Sequence, residues 1–205
     1  MARACKRELS LWFAAGFASV PLSVLFHELG HYTAGKLLGW RDLAFHYSSV
    51  DLASEGSIVA SVIHAPWKAA LVYVAGPAVS VAIIFFATLW VGRPGGHAVP
   101  TAFGLSSAVR LLSPLATGTV LVLRRILTNH APFDPNLDEF NFATNLGMPP
   151  LLFLFSNFFA AAIGLFWTAR RLRHRELAFP LVSLALGIAT GFAFYFGFLG
   201  PHLLP

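Results

Sequence analysis

Apolar residues occur in five long runs, each bounded by charged or polar residues. A membrane-spanning helix needs about 20 mainly apolar residues, so each run predicts one such helix. The third run is interrupted by Arg110 and Pro114, which predicts a helix that is bent, half-inserted or divided into two pieces. The five runs cover approximately residues 9–38, 69–91, 98–123, 150–169 and 178–199.

The connections between the runs predict two further elements. Apolar and polar residues alternate over residues 42–47, which is typical of a short β-strand. Within residues 124–148, Asp134 and the proline after it resemble a helix start, and Gly147 resembles a helix end. The pattern therefore predicts an all-α polytopic membrane protein with about five transmembrane helices and a short β-strand or hairpin after the first.

Composition leads to the same class of protein. Apolar residues make up 57% of the chain, and Asp, Glu, Lys and Arg make up only 11%, whereas a soluble domain has about 25% charged residues. The net charge of +5 does not indicate a nucleic-acid partner, because its basic residues cluster beside apolar runs, as they do at membrane surfaces. Cys5 is the single cysteine, so it cannot close an internal disulfide. We expect one domain over residues 1–205, embedded in the lipid bilayer of the cell (inner) membrane with several passes.

The first apolar run contains the sequence His27-Glu28-Leu29-Gly30-His31. On a helix, residues four apart lie on one face, so the two imidazoles can bind the same metal ion. Glu28 would lie beside that ion, where its carboxylate can take a proton from water and pass it to a leaving amine. Neutral imidazoles suit zinc, so the motif predicts a Zn²⁺ site with Glu28 as the general base.

Chance and a purely structural role are the alternatives for this motif. A His-Glu-x-x-His match arises by accident in roughly one shuffled sequence of this composition in a hundred. The three polar residues could also form a hydrogen-bonded knot between helices. However, a charged group at the bilayer centre costs about 2.5 to 3.5 kcal/mol, so ionisable residues there normally have a functional partner.

The residues around the motif resemble a known family. Residues 27–40 follow an apolar run, lead into the predicted strand and read HELGHYTAGKLLGW. They look like the first active-site helix of the site-2 protease family of intramembrane zinc metalloproteases. The segment from Ala75 to Ser80, read as Ala-Gly-Pro-Ala-Val-Ser, is similar to that family's Ala-Gly-Pro-x-x-Asn segment. The two matches cover roughly the first 80 residues.

The resemblance implies the third metal ligand. A catalytic zinc ion usually has three protein ligands and one position for water. The family takes its third ligand from an Asp in a Leu-Asp-Gly segment, which carries over best to Leu137-Asp138, with Glu139 in place of the glycine. Asp134 and Glu139 are the alternative donors, and the non-metal role of Asp138 is to stabilise a helix amino terminus.

Two further residues are predicted to contact substrate. Ser80 occupies the place of the family's substrate-holding Asn, and its structural alternative is close helix packing. Arg110 is predicted to contact a substrate carbonyl or to neutralise Asp138 or Glu139, and its structural alternative is snorkelling to an interface. Four other histidines have no partner at metal-binding spacing and are interpreted as loop or interfacial residues: His46, His64, His97 and His130.

The function implied by the resemblance is that of a zinc metalloendopeptidase that hydrolyses peptide bonds of membrane-spanning proteins or peptides. A substrate helix must unwind before its carbonyls can be attacked, and the predicted strand could pair with the unwound segment. The alternatives are a non-catalytic metal-binding membrane protein and a transporter. The sequence lacks the paired, interrupted spans in symmetric halves that many transporters have, which disfavours the transporter.

Overall fold

The computed structural model describes residues 2–40, 43–47, 49–52, 65–91, 97–128, 138–172 and 178–204. The chain is mostly helical, with one short β-hairpin after the first helix, as predicted. In chain order the elements are α1 (Ala2–Leu37), β1 (Leu43–Phe45), β2 (Val50–Leu52), α2 (Pro66–Val91), α3 (Ala98–Thr128), α4 (Asp138–Asn145), α5 (Pro150–Leu172), α6 (Ala178–Phe194), a π-helical turn (Tyr195–Leu199) and α7 (Gly200–Leu203).

Four helical segments are long and apolar enough to cross a membrane. They are Lys6–Leu37, Pro66–Val91, Leu152–Leu172 and Ala178–Leu203. Large apolar side chains such as Phe86 and Phe166 are exposed on the outside, while hydroxyl groups such as those of Ser19 and Ser106 are buried. An outer surface with this many large apolar side chains is typical of a multi-pass membrane protein.

The centre of the bundle is α1, which packs against α2, α3 and α6. Its buried positions recur every three or four residues, so one face of the helix points inwards. The contact with α6 is close, because a Cβ at Gly16 would come within 2.5 Å of the Leu184 carbonyl oxygen. Small residues at such contacts let two membrane helices approach by their backbones.

The helix ends show which parts of the chain share one end of the bundle. The Ser183 hydroxyl donates to the Leu9 carbonyl at 2.8 Å, so α6 begins beside the start of α1. The Arg171 guanidinium donates to the Leu89 carbonyl at 3.1 Å, which joins the end of α5 to the end of α2. One apolar cluster contains both Trp12 and Leu172 and links these two ends. The basic residues at the start of α1 and at the end of α5 therefore lie at the same end.

The interrupted third run forms one continuous helix. α3 has 31 residues with Pro114 inside it, so the predicted division into two pieces is wrong. α3 lies alongside α1. The Ser19 and Ser106 hydroxyls are 2.6 Å apart, and further along the two helices Arg110 pairs with Glu28. That α3 crosses the membrane stays a prediction.

The end of α1 turns the chain back beside the helix. Gly39 has a φ of +89°, a conformation that favours glycine. The Trp40 N–H donates to the Gly35 carbonyl at 2.9 Å, and the Gly39 N–H donates to the Lys36 carbonyl at 3.1 Å. These two bonds form a Schellman cap, which satisfies the last carbonyls of the helix.

The predicted strand is confirmed as β1, which pairs antiparallel with β2 in the register Phe45 with Val50. Its side chains pack on α1. The Phe45 ring meets the Tyr32 ring edge-on at 5.9 Å between centroids. Leu43 fills the space beside Gly35, where a Cβ would lie 2.6 Å from the Leu43 Cδ1 atom. The hairpin therefore lies against the turn of α1 that follows His31.

The short helix α4 begins at Asp138 and packs against α2 and α5. Its end is capped at Gly147, which has a φ of +65°, and the Met148 N–H donates to the Ala143 carbonyl at 2.9 Å. This confirms the predicted helix end. The predicted start at Asp134 lies outside the described residues.

Candidate metal site

One turn of α1 brings His27, Glu28 and His31 to the centre of the bundle. All three side chains are buried. The two imidazole rings meet almost edge-on, and their Nε2 atoms are 3.2 Å apart. The four-residue spacing therefore places both nitrogens at one point, as the helical periodicity predicts.

Asp138 completes the group from a distant part of the chain. Its Oδ2 atom lies 3.3 Å from His27 Nε2 and 3.0 Å from His31 Nε2. The residue is separated from His27 by 111 positions and reaches the site because α4 packs against α2 beside the histidine turn. Among the described residues, His27, His31 and Asp138 are a group that could hold a metal ion.

The second nitrogen of each imidazole bonds to α2. His31 Nδ1 donates to the Val72 carbonyl oxygen at 2.7 Å. His27 Nδ1 lies 2.9 Å from the Ser80 hydroxyl oxygen. A neutral His31 that donates from Nδ1 has a bare lone pair on Nε2, which faces the Asp138 carboxylate. This outer hydrogen bonding is what metal-binding histidines normally have, since it fixes the tautomer and the ring orientation.

The three converging atoms fit a zinc ion. Ligand atoms 2.0 to 2.1 Å from a tetrahedral zinc lie about 3.3 to 3.4 Å from one another, and the three separations here are 3.0 to 3.3 Å. Two imidazole nitrogens and one carboxylate oxygen are also the donor types that zinc takes in hydrolases. Lone pairs that meet in this way need a positive charge between them. A proton can bridge two of the atoms, whereas a metal ion can bind all three.

Gly76 leaves room for this arrangement. It lies on α2 between the residues that bond the two imidazoles, and a Cβ at this position would overlap His31 Nε2 and lie 2.7 Å from His27 Nε2. Only glycine therefore allows α2 to approach the histidine turn so closely. The sequence pointed to the Ala-Gly-Pro segment by resemblance and to Gly76 only as a site of close helix packing, the structural alternative for Ser80.

The two histidines beside Asp138 favour the ionised form of its carboxyl group. Burial by itself would raise the pKa of its carboxyl group. When His31 is protonated in the metal-free site, its positive charge and the hydrogen bonds with His27 and His31 outweigh burial and hold that pKa below its usual value. A carboxylate is the form of Asp138 that can bind a cation.

Arg110 bonds to Glu28, not to Asp138. Its Nη2 atom donates to Glu28 Oε1. The predicted alternative that Arg110 neutralises Asp138 is therefore not what the structure shows, because α3 follows the Glu28 side of α1. Arg110 Nε is buried and has no hydrogen-bond partner within the described part of the chain.

The other residues that the sequence singled out lie behind the candidate site, away from it or outside the described residues. Ser80 is fully buried and contacts His27, so it lies directly behind the candidate metal site. Asp134 lies outside the described residues, and so does the side chain of Glu139. His97 lies at the start of α3 and bonds to the Val91 carbonyl at 2.9 Å, away from the site. His46 directly follows β1, and both His64 and His130 lie outside the described residues.

Comparisons of the chain with protein-family models, with curated proteins and with solved structures find no match.

A Gly76→Ala substitution should weaken metal binding more than it disturbs the fold. The added methyl group would occupy the place of the imidazole nitrogens, so we expect zinc affinity to fall by at least about 10- to 100-fold, the loss typical of a disturbed outer partner. Affinity can be measured by competition with a chromophoric chelator. Gly104→Ala is the matched control, because its Cβ would meet only the Ala87 methyl group at 3.3 Å. Equal affinities of the two variants would show that Gly76 does not make room for the site.

Proposed function

We propose that this protein is an intramembrane zinc metalloprotease that hydrolyses peptide bonds of membrane-spanning substrates. The observation that carries the proposal is the convergence of His27, His31 and Asp138 on one point, with Glu28 next to them. His27, Glu28 and His31 lie on a helix that is long and apolar enough to cross a membrane, and Asp138 reaches them from α4. His27, His31 and Asp138 would hold the zinc ion.

The proposed hydrolysis uses both the zinc ion and a side chain of the protein. When bound, zinc would polarise the scissile carbonyl and acidify the attacking water. Glu28 accepts the proton that water loses as its oxygen bonds to the carbonyl carbon. Glu28 then delivers that proton to the amide nitrogen as the C–N bond breaks, which yields a carboxylic acid and an amine. Burial of Glu28 keeps competing water away from this transfer.

Arg110 supports Glu28 in two ways. Its positive charge compensates the buried carboxylate, which would otherwise be costly to remove from water. The bond to Oε1 also leaves Oε2 available for the proton transfer. The buried Nε–H of Arg110 has no hydrogen-bond partner among the described residues, and a substrate carbonyl would satisfy it.

The hairpin offers a way to present the substrate. His46 N–H donates to the Ser49 carbonyl at 2.9 Å. Hydrogen-bonded and non-hydrogen-bonded pairs alternate in antiparallel strands, so the backbone groups of Leu43 and Phe45 point towards the outer edge of β1. A substrate that has unwound could add as a strand along this edge and expose one peptide bond to the site.

Removal of the metal tests the proposal. Purified protein in lipid vesicles, with a fluorescently labelled transmembrane peptide, should cut the peptide within its apolar segment. Cleavage should stop after treatment with a zinc chelator and return when Zn²⁺ is restored, because the attacking water depends on the ion. Product masses from mass spectrometry give the position of the cut.

Two results would contradict the proposed protease function. Cleavage that continues in the chelated protein would exclude a metal-dependent mechanism. Stoichiometric zinc binding without cleavage of any transmembrane peptide would favour the non-catalytic metal-binding protein, and zinc uptake into the vesicles would favour the transporter.

A further inference from the structure

The segment 195–204 holds the hairpin at Tyr47, which lies two residues after the end of β1. The Tyr195 hydroxyl donates to the Tyr47 carbonyl oxygen at 2.7 Å. The Tyr47 N–H donates to the Leu204 carbonyl oxygen at 3.2 Å. Both backbone groups of Tyr47 are therefore bonded to the same segment.

Ring contacts reinforce these bonds. The Tyr47 ring meets the rings of Tyr195 and Phe196, each at 6.1 Å between centroids. Gly200 leaves the space that the ring occupies, because a Cβ there would overlap Tyr47 Cδ2. Tyr195 itself is only 2% exposed, so its ring belongs to the core of the bundle.

The π-helical turn explains why Tyr195 and Gly200 reach the same ring. Residues five apart in an α-helix lie about 140° apart around the axis, on different faces. Here the Gly200 N–H donates to the Tyr195 carbonyl, an i to i+5 bond that brings the two residues onto one face. A regular α-helix at this position would lose one of the two contacts.

On the other side, the hairpin packs against α1. Phe45 meets Tyr32 and Leu43 fills the space beside Gly35. These contacts lie next to His31, whereas the Tyr47 contacts lie at the end of α6. Two separate supports therefore determine where the edge of β1 lies relative to the metal site.

We infer that Tyr195 is a positioning residue for substrate, which acts by holding β1 at a defined distance from the metal site through Tyr47. The inference rests on the proposed function, because a positioned edge matters only if a substrate strand adds to it. The hydrogen bond and ring contacts of Tyr195 among the described residues go to Tyr47 and Phe196, and its hydroxyl also interacts electrostatically with Glu28 and Arg110. The hydroxyl is neutral, so its loss removes no charge beside Glu28, and we expect it to weaken substrate binding without changing the chemical step.

Tyr195→Phe tests this inference, since it removes one hydrogen bond and keeps the ring. We expect KM for the transmembrane peptide to rise by about 2- to 10-fold, the range that corresponds to one buried hydrogen bond, with kcat and zinc content unchanged. Hydrogen–deuterium exchange of the amides of residues 43–47 should become faster by a similar factor. Gly200→Ala should act in the same direction, because its methyl group would displace the Tyr47 ring.

Gly197→Ala is the matched control within the same segment, since a Cβ there would meet nothing within 4 Å. Its KM and its exchange rates should equal those of the wild type. The inference is overturned if Tyr195→Phe and Gly200→Ala leave KM and exchange unchanged, or if they lower kcat or zinc content instead.

If the proposed function is wrong, the experiments give a result different from the one expected when only the role of Tyr195 is wrong. A wild-type protein that binds zinc but cuts no peptide refutes the protease, and with it the role of β1 in binding substrate. The exchange measurement needs no substrate, so it still decides whether the segment 195–204 holds the hairpin.

Discussion

Glu28→Gln is expected to reduce peptide cleavage by about 10²- to 10⁴-fold, the usual contribution of a general base, while one zinc ion remains bound per chain. The amide has nearly the same shape as the carboxylate and can still accept the Arg110 hydrogen bond, but it cannot take a proton from water. The proposed zinc donors are unchanged in this variant, namely His27, His31 and Asp138. Single-turnover cleavage of the labelled peptide and elemental analysis of the purified variant measure the two quantities.

Glu8→Gln provides the control on the same helix. Glu8 is exposed near the start of α1, far from the histidine turn, so the same change there should leave cleavage unaltered. Cleavage by the Glu28 variant at the wild-type rate, with zinc retained, would exclude Glu28 as the base.

Asp138→Ala is expected to lower zinc affinity by at least about 100-fold, more than the loss of an outer hydrogen-bond partner, and to abolish cleavage. Two imidazoles would remain, without the negative charge that helps to bind the ion. Zinc affinity can be measured by chelator competition, and circular dichroism checks that the helices are intact.

Variants of the other two candidate donors serve as controls for the zinc affinity of Asp138→Ala. Asp134→Ala and Glu139→Ala should each retain zinc, because the carboxylate that meets the two imidazoles is that of Asp138. If Asp138→Ala keeps its zinc while one of the other two variants loses it, the third ligand is assigned to the wrong residue.

The helical parts of the site could be predicted from sequence because they depend on local spacing. The face shared by His27 and His31 follows from 3.6 residues per turn, and the end of α4 follows from a glycine that can adopt a positive φ. The apolar runs likewise predicted the long helices, since their length is set by the thickness of a bilayer.

The remaining features depend on how distant segments pack. Spacing alone did not choose among Asp134, Asp138 and Glu139, and only the resemblance favoured Asp138. The partner of Arg110 depends on how α3 packs against α1, and no local sequence pattern predicts that packing. Pro114 predicted an interruption of α3, but the helix continues through it. The contact between Tyr47 and Tyr195 joins residues that are 148 positions apart.

The length of α1 bears on where a substrate would be cut and how the pieces would separate. Its 36 residues extend over about 54 Å, whereas the hydrocarbon layer is about 30 Å thick. Lys36 follows His31 by five residues, or about 8 Å, while Lys6 precedes His27 by about 32 Å. With Lys36 at the level of the headgroups, the proposed protease would cut its substrate at a shallow depth. One product would then keep most of its apolar length and stay anchored, while the other would be too short to remain and would leave for the adjacent aqueous compartment.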